Sequence, residues 1–306
     1  DTIDTATLSL TATPSVAEGG NIVYTASLDN PAQAPVTVVL SNGASITIAI
    51  GTSQGTAAVA APIDDVYLDA GSVSATLASA IGGNFENLSI DPSPATTTIT
   101  DTVDTTIVSL TATPNVAEGG SILYTASLND VAQTPVTLTL SNGATITIPA
   151  GASMGVVSVP APADDVHIDA GTVSASIASA VGGNFESLAI DPAAATTAIT
   201  DTIDTTTLSL TATASVAEGG SITYTASLTS ATQTPVTVML SNGTSITIPA
   251  GSSTGTASVA APADSVYVEA DTLSATIATA SGGNFENLVI DPAAAVTRIT
   301  DTPDTT

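Results

Sequence analysis

Asp101-Thr102-Val103-Asp104 stands 100 residues after Asp1-Thr2-Ile3-Asp4 and 100 residues before Asp201-Thr202-Ile203-Asp204, and Asp301-Thr302-Pro303-Asp304 follows at the same interval. A fixed period decides whether a chain is one fold or several, and a unit this long matches a complete small domain rather than a solenoid rung or a propeller blade. Each unit is therefore expected to bury its own core. The boundaries read as 1–104, 105–204 and 205–306, with the Asp-Thr-x-Asp stretches as joints. Because the chain starts and stops on the joint motif, it reads as a segment of a longer array, with any targeting signal outside it.

Working outward from the joint, apolar and polar residues alternate through each unit. In the first, Leu8, Leu10 and Ala12 share one side with Thr7, Ser9 and Thr11 opposite, the period of a strand with one buried face. The pattern returns with Ile22, Tyr24, Ala26 and Leu28, with Val36, Val38 and Leu40, and with Ile46, Ile48 and Ile50. It continues with Ala57, Val59 and Ala61, with Val73, Ala75, Leu77 and Ser79, and with Thr97 and Ile99. Glu18-Gly19-Gly20, Ser41-Asn42-Gly43, the 51–55 and 64–71 segments and Gly82-Gly83-Asn84 punctuate these runs as turns. No stretch has helical periodicity. Seven short strands per unit predict an all-β chain of three tandem immunoglobulin-like sandwiches, with a barrel as the alternative. Strands of about ten residues then give three domains end to end a rod on the order of 110 to 130 Å.

The aromatics occupy three columns of the repeat: Tyr24, Tyr124 and Tyr224; Tyr67, His167 and Tyr267; and Phe85, Phe185 and Phe285. Each column is expected to plug an end or corner of its own sandwich, with Tyr67 closing the loop before the sixth strand.

The chain has no cysteine, which excludes disulfides and thiolate metal sites. Its formal net charge of -27, with one Arg298 and one His167, argues against nucleic acid and anionic membrane and points towards cations. All the acids except Asp29, Asp130 and Asp271 fall in eight columns of the repeat. Topology is expected to bring Glu18, Asp64, Asp65, Asp69, Asp101 and Asp104 to one joint, with Glu86 and Asp91 at the other end of the unit. Two carboxylates about 4 Å apart repel by roughly 4 kcal/mol at an effective dielectric near 20, and one arginine cannot neutralise three such clusters. A bound cation can. Hard oxygen donors without cysteine select calcium over zinc or copper, and magnesium prefers a smaller, more regular site. The candidate ligands are Glu18, Asp64, Asp69, Asp101 and Asp104; Glu118, Asp164, Asp169, Asp201 and Asp204; and Glu218, Asp264, Glu269, Asp301 and Asp304. Asp65 is weaker because Ser265 replaces its counterpart, although Asp271 keeps that loop's carboxylate count.

Val16-Ala17-Glu18-Gly19-Gly20, Tyr24-Thr25-Ala26-Ser27, Leu40-Ser41-Asn42-Gly43, Asp64-Asp65-Val66-Tyr67, Gly82-Gly83-Asn84-Phe85-Glu86-Asn87 and the joint motif occur together in every unit with few changes. This set resembles the tandem extender repeats of giant RTX adhesins, the Lap-type biofilm proteins and ice-binding adhesins that Gram-negative bacteria export by type I secretion. The resemblance implies immunoglobulin-like sandwiches, calcium at the joints and an extracellular spacer role in cell adhesion, with neighbouring repeats as the partners and the distal ligand held elsewhere. The RTX nonapeptide is absent, since Gly82-Gly83-Asn84-Phe85-Glu86 does not continue its pattern.

A surface-layer or fibre protein is the closer rival reading. A threonine-rich ice- or sugar-binding face is a more distant one, because outward threonine is usual on exposed strands. An enzyme using Asp64 and Asp69 as acid and base lacks a serine and histidine pairing and a sugar-stacking platform. The chain therefore reads as a non-enzyme.

Overall fold

Alternation at period two produces an all-β structure. The computed structural model describes residues 3–265 and 271–302. The first repeat contains β1 (Thr5–Ala12), β2 (Ser15–Ala17), β3 (Asn21–Leu28), β4 (Val36–Leu40), β5 (Ser45–Ile48), β6 (Gln54–Ala60), β7 (Gly71–Ala75), β8 (Leu77–Gly82), β9 (Asn87–Ile90) and β10 (Ala95–Thr100). Counterparts recur in the other two repeats, giving three tandem β-sandwiches. Among the described residues no helix is long and apolar enough to cross a membrane.

One sheet of the first repeat has the order β6-β3-β1-β9, and the other layer consists of β2-β10-β7 and β5-β4-β8. Ten segments stand where seven strands were expected, for three reasons. The first strand leaves its sheet after Ala12 and re-forms as β2 beside β10, with Pro14 O accepting from Thr98 N–H at 3.0 Å. The third repeat makes the same crossing with Ala214 in that place, so the proline is not its cause. The sixth strand changes partner at Thr76, where Ser41 exchanges hydrogen bonds with the Thr76 backbone and the β4 register shifts between Val39 and Leu40. Finally, Asn87–Ile90, where the sequence pattern predicts no strand, forms one paired parallel to β1. The Ile50 position also differs, being 65% exposed because β5 ends at Ile48 and the chain turns through Gly51.

Inward residues of both layers meet in one core per repeat. Leu8, Ile22, Tyr24 and Ala26 from one sheet pack with Val36, Val38, Leu40, Ile46 and Ile48 from the other, all essentially without solvent exposure. Tyr24 is fully buried within this core, and Tyr124 and Tyr224 are buried in the same way.

By compactness the structure divides into two units. One comprises Asp1–Thr111, Thr125–Val157 and Ala175–Ala194; the other comprises Ala112–Tyr124, Ser158–Ser174 and Ala195–Thr306. The first unit holds the whole joint around Asp101 and Asp104, and the second holds the whole joint around Asp201 and Asp204. Each joint therefore lies within one unit.

The core of the first repeat predicts that Leu8→Ala costs about 2 to 5 kcal/mol, the usual range for a large-to-small change at a fully buried site. Urea unfolding followed by circular dichroism is expected to show one early transition for that repeat ahead of the others.

Candidate metal centre

Two parallel strand pairings bring the joint's carboxylates together. The β2 strand runs parallel to β10 with Ala17 opposite Thr100, so the residues that follow each strand, Glu18 and Asp101, emerge side by side. Glu18 N–H donates to Thr100 O at 3.1 Å, and Gly19, at a φ of 68° that suits glycine, donates to Pro62 O at 2.7 Å. That second bond draws the loop carrying Asp64 and Asp69 against the turn. On the other side of the joint, Ser187–Ile190, the counterpart of β9, runs parallel to Thr105–Ala112 with Ser187 opposite Thr105. The preceding residues, Glu186 and Asp104, are thereby neighbours as well. Asp104 N–H donates to Glu186 Oε2 at 2.6 Å, and Asp204 N–H donates to Glu286 Oε2 at 2.6 Å.

At the first joint, carboxylate oxygens of Glu18, Asp69 and Asp101 all lie within 4.8 Å of one another. At the second, the oxygens of Glu118, Asp201 and Glu286 do the same. Glu18 and Glu118 are each only 6% exposed. Buried Glu18 Oε2, Asp101 Oδ1 and Glu186 Oε1 at the first joint, and Glu118 Oε2, Asp201 Oδ1 and Glu286 Oε1 at the second, have no hydrogen-bond donor. A buried carboxylate oxygen without a partner is costly. The same oxygens, all hard donors with no nitrogen or sulfur among them, fit a hard divalent cation.

Without a cation, a proton is the remaining counter-charge. The Glu18 carboxyl is pushed up to about 7, first by a hydrogen bond with Asp69 that requires one of the pair to be protonated, then by burial, then by the charges of Asp69, Asp101 and Asp65. Glu118 is raised to about 7 by the corresponding bond with Asp169, by burial, and by the charges of Asp169, Asp201 and Asp164.

Other residues singled out from the sequence make contacts that shape the joint. Asp64, Asp164 and Asp264 accept the hydroxyls of Thr102, Thr202 and Thr302, clasping the joint motif. Asp104 and Asp204 contribute their backbone N–H groups, as above. Asp65 and Asp165 each accept the backbone N–H two residues on, from Tyr67 at 2.8 Å and His167 at 2.7 Å, and so shape the loop. Asp271 accepts from its neighbour Thr272 N–H at 2.7 Å. In the third repeat Glu218 is buried with its N–H on Thr300 O, and Asp301 is half-buried, while Glu269 and Asp304 lie outside the described residues.

The sequence reading missed Glu186 and Glu286. It set the Glu86 column at the far end of its own repeat, and that end proves to be the one that meets the preceding repeat's joint. The aromatic expectation changes for the same reason. Tyr67 reaches out of its own repeat to stack on Phe185 at 5.7 Å between centroids, and its hydroxyl donates to Val131 O at 2.6 Å. His167 does likewise on Phe285 at 5.3 Å, with Nε2 3.1 Å from Ala231 O. Tyr267 lies outside the described residues. Gly183 makes room for this contact, since a Cβ there would lie 2.2 Å from the Phe185 ring.

With this geometry in place, the family described as the LapA domain matches the chain three times, over residues 4–102, 104–202 and 204–302. No curated protein matches the chain in sequence.

The raised carboxyls give stability a definite pH dependence when no divalent cation is present. An unfolded glutamate titrates near 4.5 and the folded one near 7, so between these values the folded state binds more protons than the unfolded state. Stability is then full below 4.5 and falls as pH rises to 7 and just beyond. Melting in chelator is expected at a lower temperature at pH 7.5 than at pH 5. Glu18→Gln with Glu118→Gln, which mimics the protonated pair, should flatten that slope. An unchanged slope in the double variant would show that these carboxyls do not carry it.

Proposed function

The chain belongs to the LapA domain family of Lap-type adhesin extender repeats, matched three times in tandem over nearly its whole length, and on that premise we propose that it is a calcium-stiffened spacer. The observation that carries the reading is the set of donorless buried carboxylate oxygens at each joint, which at the second joint include Glu118, Asp201 and Glu286 of two neighbouring repeats within 4.8 Å of one another. The one arginine, Arg298, stands on Ala295–Thr300 of the third repeat, and among the described residues no ion pair joins it to either of the first two clusters.

Glu18, Asp69 and Asp101 with Glu186 would hold an ion at the first joint, and Glu118, Asp169 and Asp201 with Glu286 at the second. Asp64, Asp164, Asp104 and Asp204 brace these groups, and Glu218, Asp264, Glu269, Asp301 and Asp304 are the corresponding set in the third repeat. Calcium supplies positive charge and a flexible shell of roughly six to eight oxygen ligands. Because the ligands come from both sides, a bound ion ties one repeat to the next as well as stabilising each. The 104 and 204 boundaries then separate folding units that the ions couple. Such an array, exported and folded where calcium is plentiful, holds distal ligand-binding domains away from the cell surface for adhesion or biofilm formation. Its role is structural, with no reaction to catalyse.

Calcium at a hundred times its dissociation constant is expected to stabilise the array by about 2.7 kcal/mol per site through mass action. Melting should rise in calcium, and small-angle scattering should show greater flexibility in chelator. Glu186→Gln with Glu286→Gln should weaken both responses while leaving each repeat folded. Identical melting and scattering with calcium and with chelator would overturn the reading.

A further inference from the structure

The loop that carries Asp64 and Asp69 also makes an aromatic clasp with the following repeat. Tyr67 and Phe185 form an isolated antiparallel bridge, in which Leu68 N–H donates to Asn184 O at 3.1 Å and Glu186 N–H donates to Val66 O at 3.1 Å. At the second joint His167 and Phe285 form the same bridge, with Ile168 N–H on Asn284 O at 3.0 Å and Glu286 N–H on Val166 O at 3.1 Å. The rings stack across each bridge, leaving Phe185 and Phe285 buried. Each phenylalanine with its flanking backbone is thus a seat for the loop of the preceding repeat.

The residue that follows the seat is the carboxylate. Glu186 is held at its backbone by Val66 O and at its side chain by Asp104 N–H, which donates to Oε2, while Oε1 stays buried without a donor. Glu286 is held in the same two ways, by Val166 O and Asp204 N–H, and its Oε1 is likewise donorless. Of these attachments only the one to Val66 or Val166 comes from the preceding repeat. At the first joint the same loop also brings an Asp69 oxygen within 4.8 Å of those of Glu18 and Asp101. One loop therefore supplies a carboxylate of its own repeat and fixes the backbone of the next repeat's carboxylate.

Resting on the calcium reading above, we infer that Tyr67 and His167 are positioning residues for the cation sites. Neither ring is a ligand: the Tyr67 hydroxyl is committed to Val131 O, and His167 Nε2 lies 3.1 Å from Ala231 O. Each ring instead sets where the glutamate beside its phenylalanine partner stands relative to the preceding repeat's carboxylates. A ligand already held in place loses less freedom when the ion binds, so the clasp strengthens binding without touching the ion. Tyrosine and histidine both serve, because the task needs a flat ring and a polar tip.

The test is calorimetric titration of calcium alone into the full chain and into Tyr67→Ala, Tyr67→His, Glu186→Gln and the Tyr67→Ala, Glu186→Gln double variant. In Tyr67→Ala one binding event is expected to weaken roughly 10- to 100-fold, the usual effect of removing a group that orients a metal ligand. Tyr67→His should recover the wild-type affinity, since His167 makes the same stack at the second joint. If the tyrosine acts through Glu186, the double variant should bind like Glu186→Gln alone. Tyr67 lies outside the core of its repeat, and His167→Ala gives an independent arm at the second joint should Tyr67→Ala impair folding. Wild-type affinity in the alanine variants, or an equal loss from Tyr67→Ala with and without Glu186→Gln, would overturn the inference and leave the calcium reading standing. A wild-type chain that takes up no calcium would overturn both.

Discussion

Parallel pairing at the two ends of the sandwich is the constraint on which the joint depends. An antiparallel hairpin brings together residues close in sequence, but a parallel pair aligns segments that start far apart and then leave in the same direction. The β2 and β10 pair delivers Glu18 beside Asp101, and the pairing of Ser187–Ile190 with Thr105–Ala112 delivers Glu186 beside Asp104. Between them lies only Thr102-Val103. Two short parallel contacts, one in each repeat, thus bring carboxylates of both repeats to the joint, and at the second joint Glu118, Asp201 and Glu286 lie within 4.8 Å of one another.

The electrostatics follow from that placement. A solvated loop carboxylate costs little, whereas a buried one must find a hydrogen bond, a proton or a cation. Hydroxyls and backbone N–H groups satisfy some of the oxygens here: Thr102 bonds Asp64, and Asp104 N–H bonds Glu186 Oε2. The oxygens that remain, Glu18 Oε2, Asp101 Oδ1 and Glu186 Oε1, have no donor. The raised Glu18 carboxyl expresses the same deficit as an affinity for protons. A proton, or the proposed cation, would answer the same local excess of negative charge.

The aromatic clasp supplies what the carboxylates do not. Stacked rings and a backbone hydrogen bond at each flank define which loop meets which seat. Substituting His167 for tyrosine keeps the clasp because an imidazole also pairs an apolar face with a polar tip, here directed at Ala231 O. Position in the repeat matters more than the identity of the ring.

The sequence by itself determined the number of repeats, the all-β class and most of the strands, because alternation along Leu8 to Ala12 or Ile22 to Leu28 records which face of a strand is buried. It also determined that acids are confined to a few columns, which directed attention to Glu18, Asp69 and Asp101. It did not show that Asn87–Ile90 is a strand, since four residues before a proline carry too short a pattern. Nor did it show that Glu186 and Phe185 face the repeat before them. Only the tertiary structure decided those partners. The physical reason is that periodicity reports burial within one repeat, whereas a contact across a joint is set by where two strands of different repeats begin and end in space.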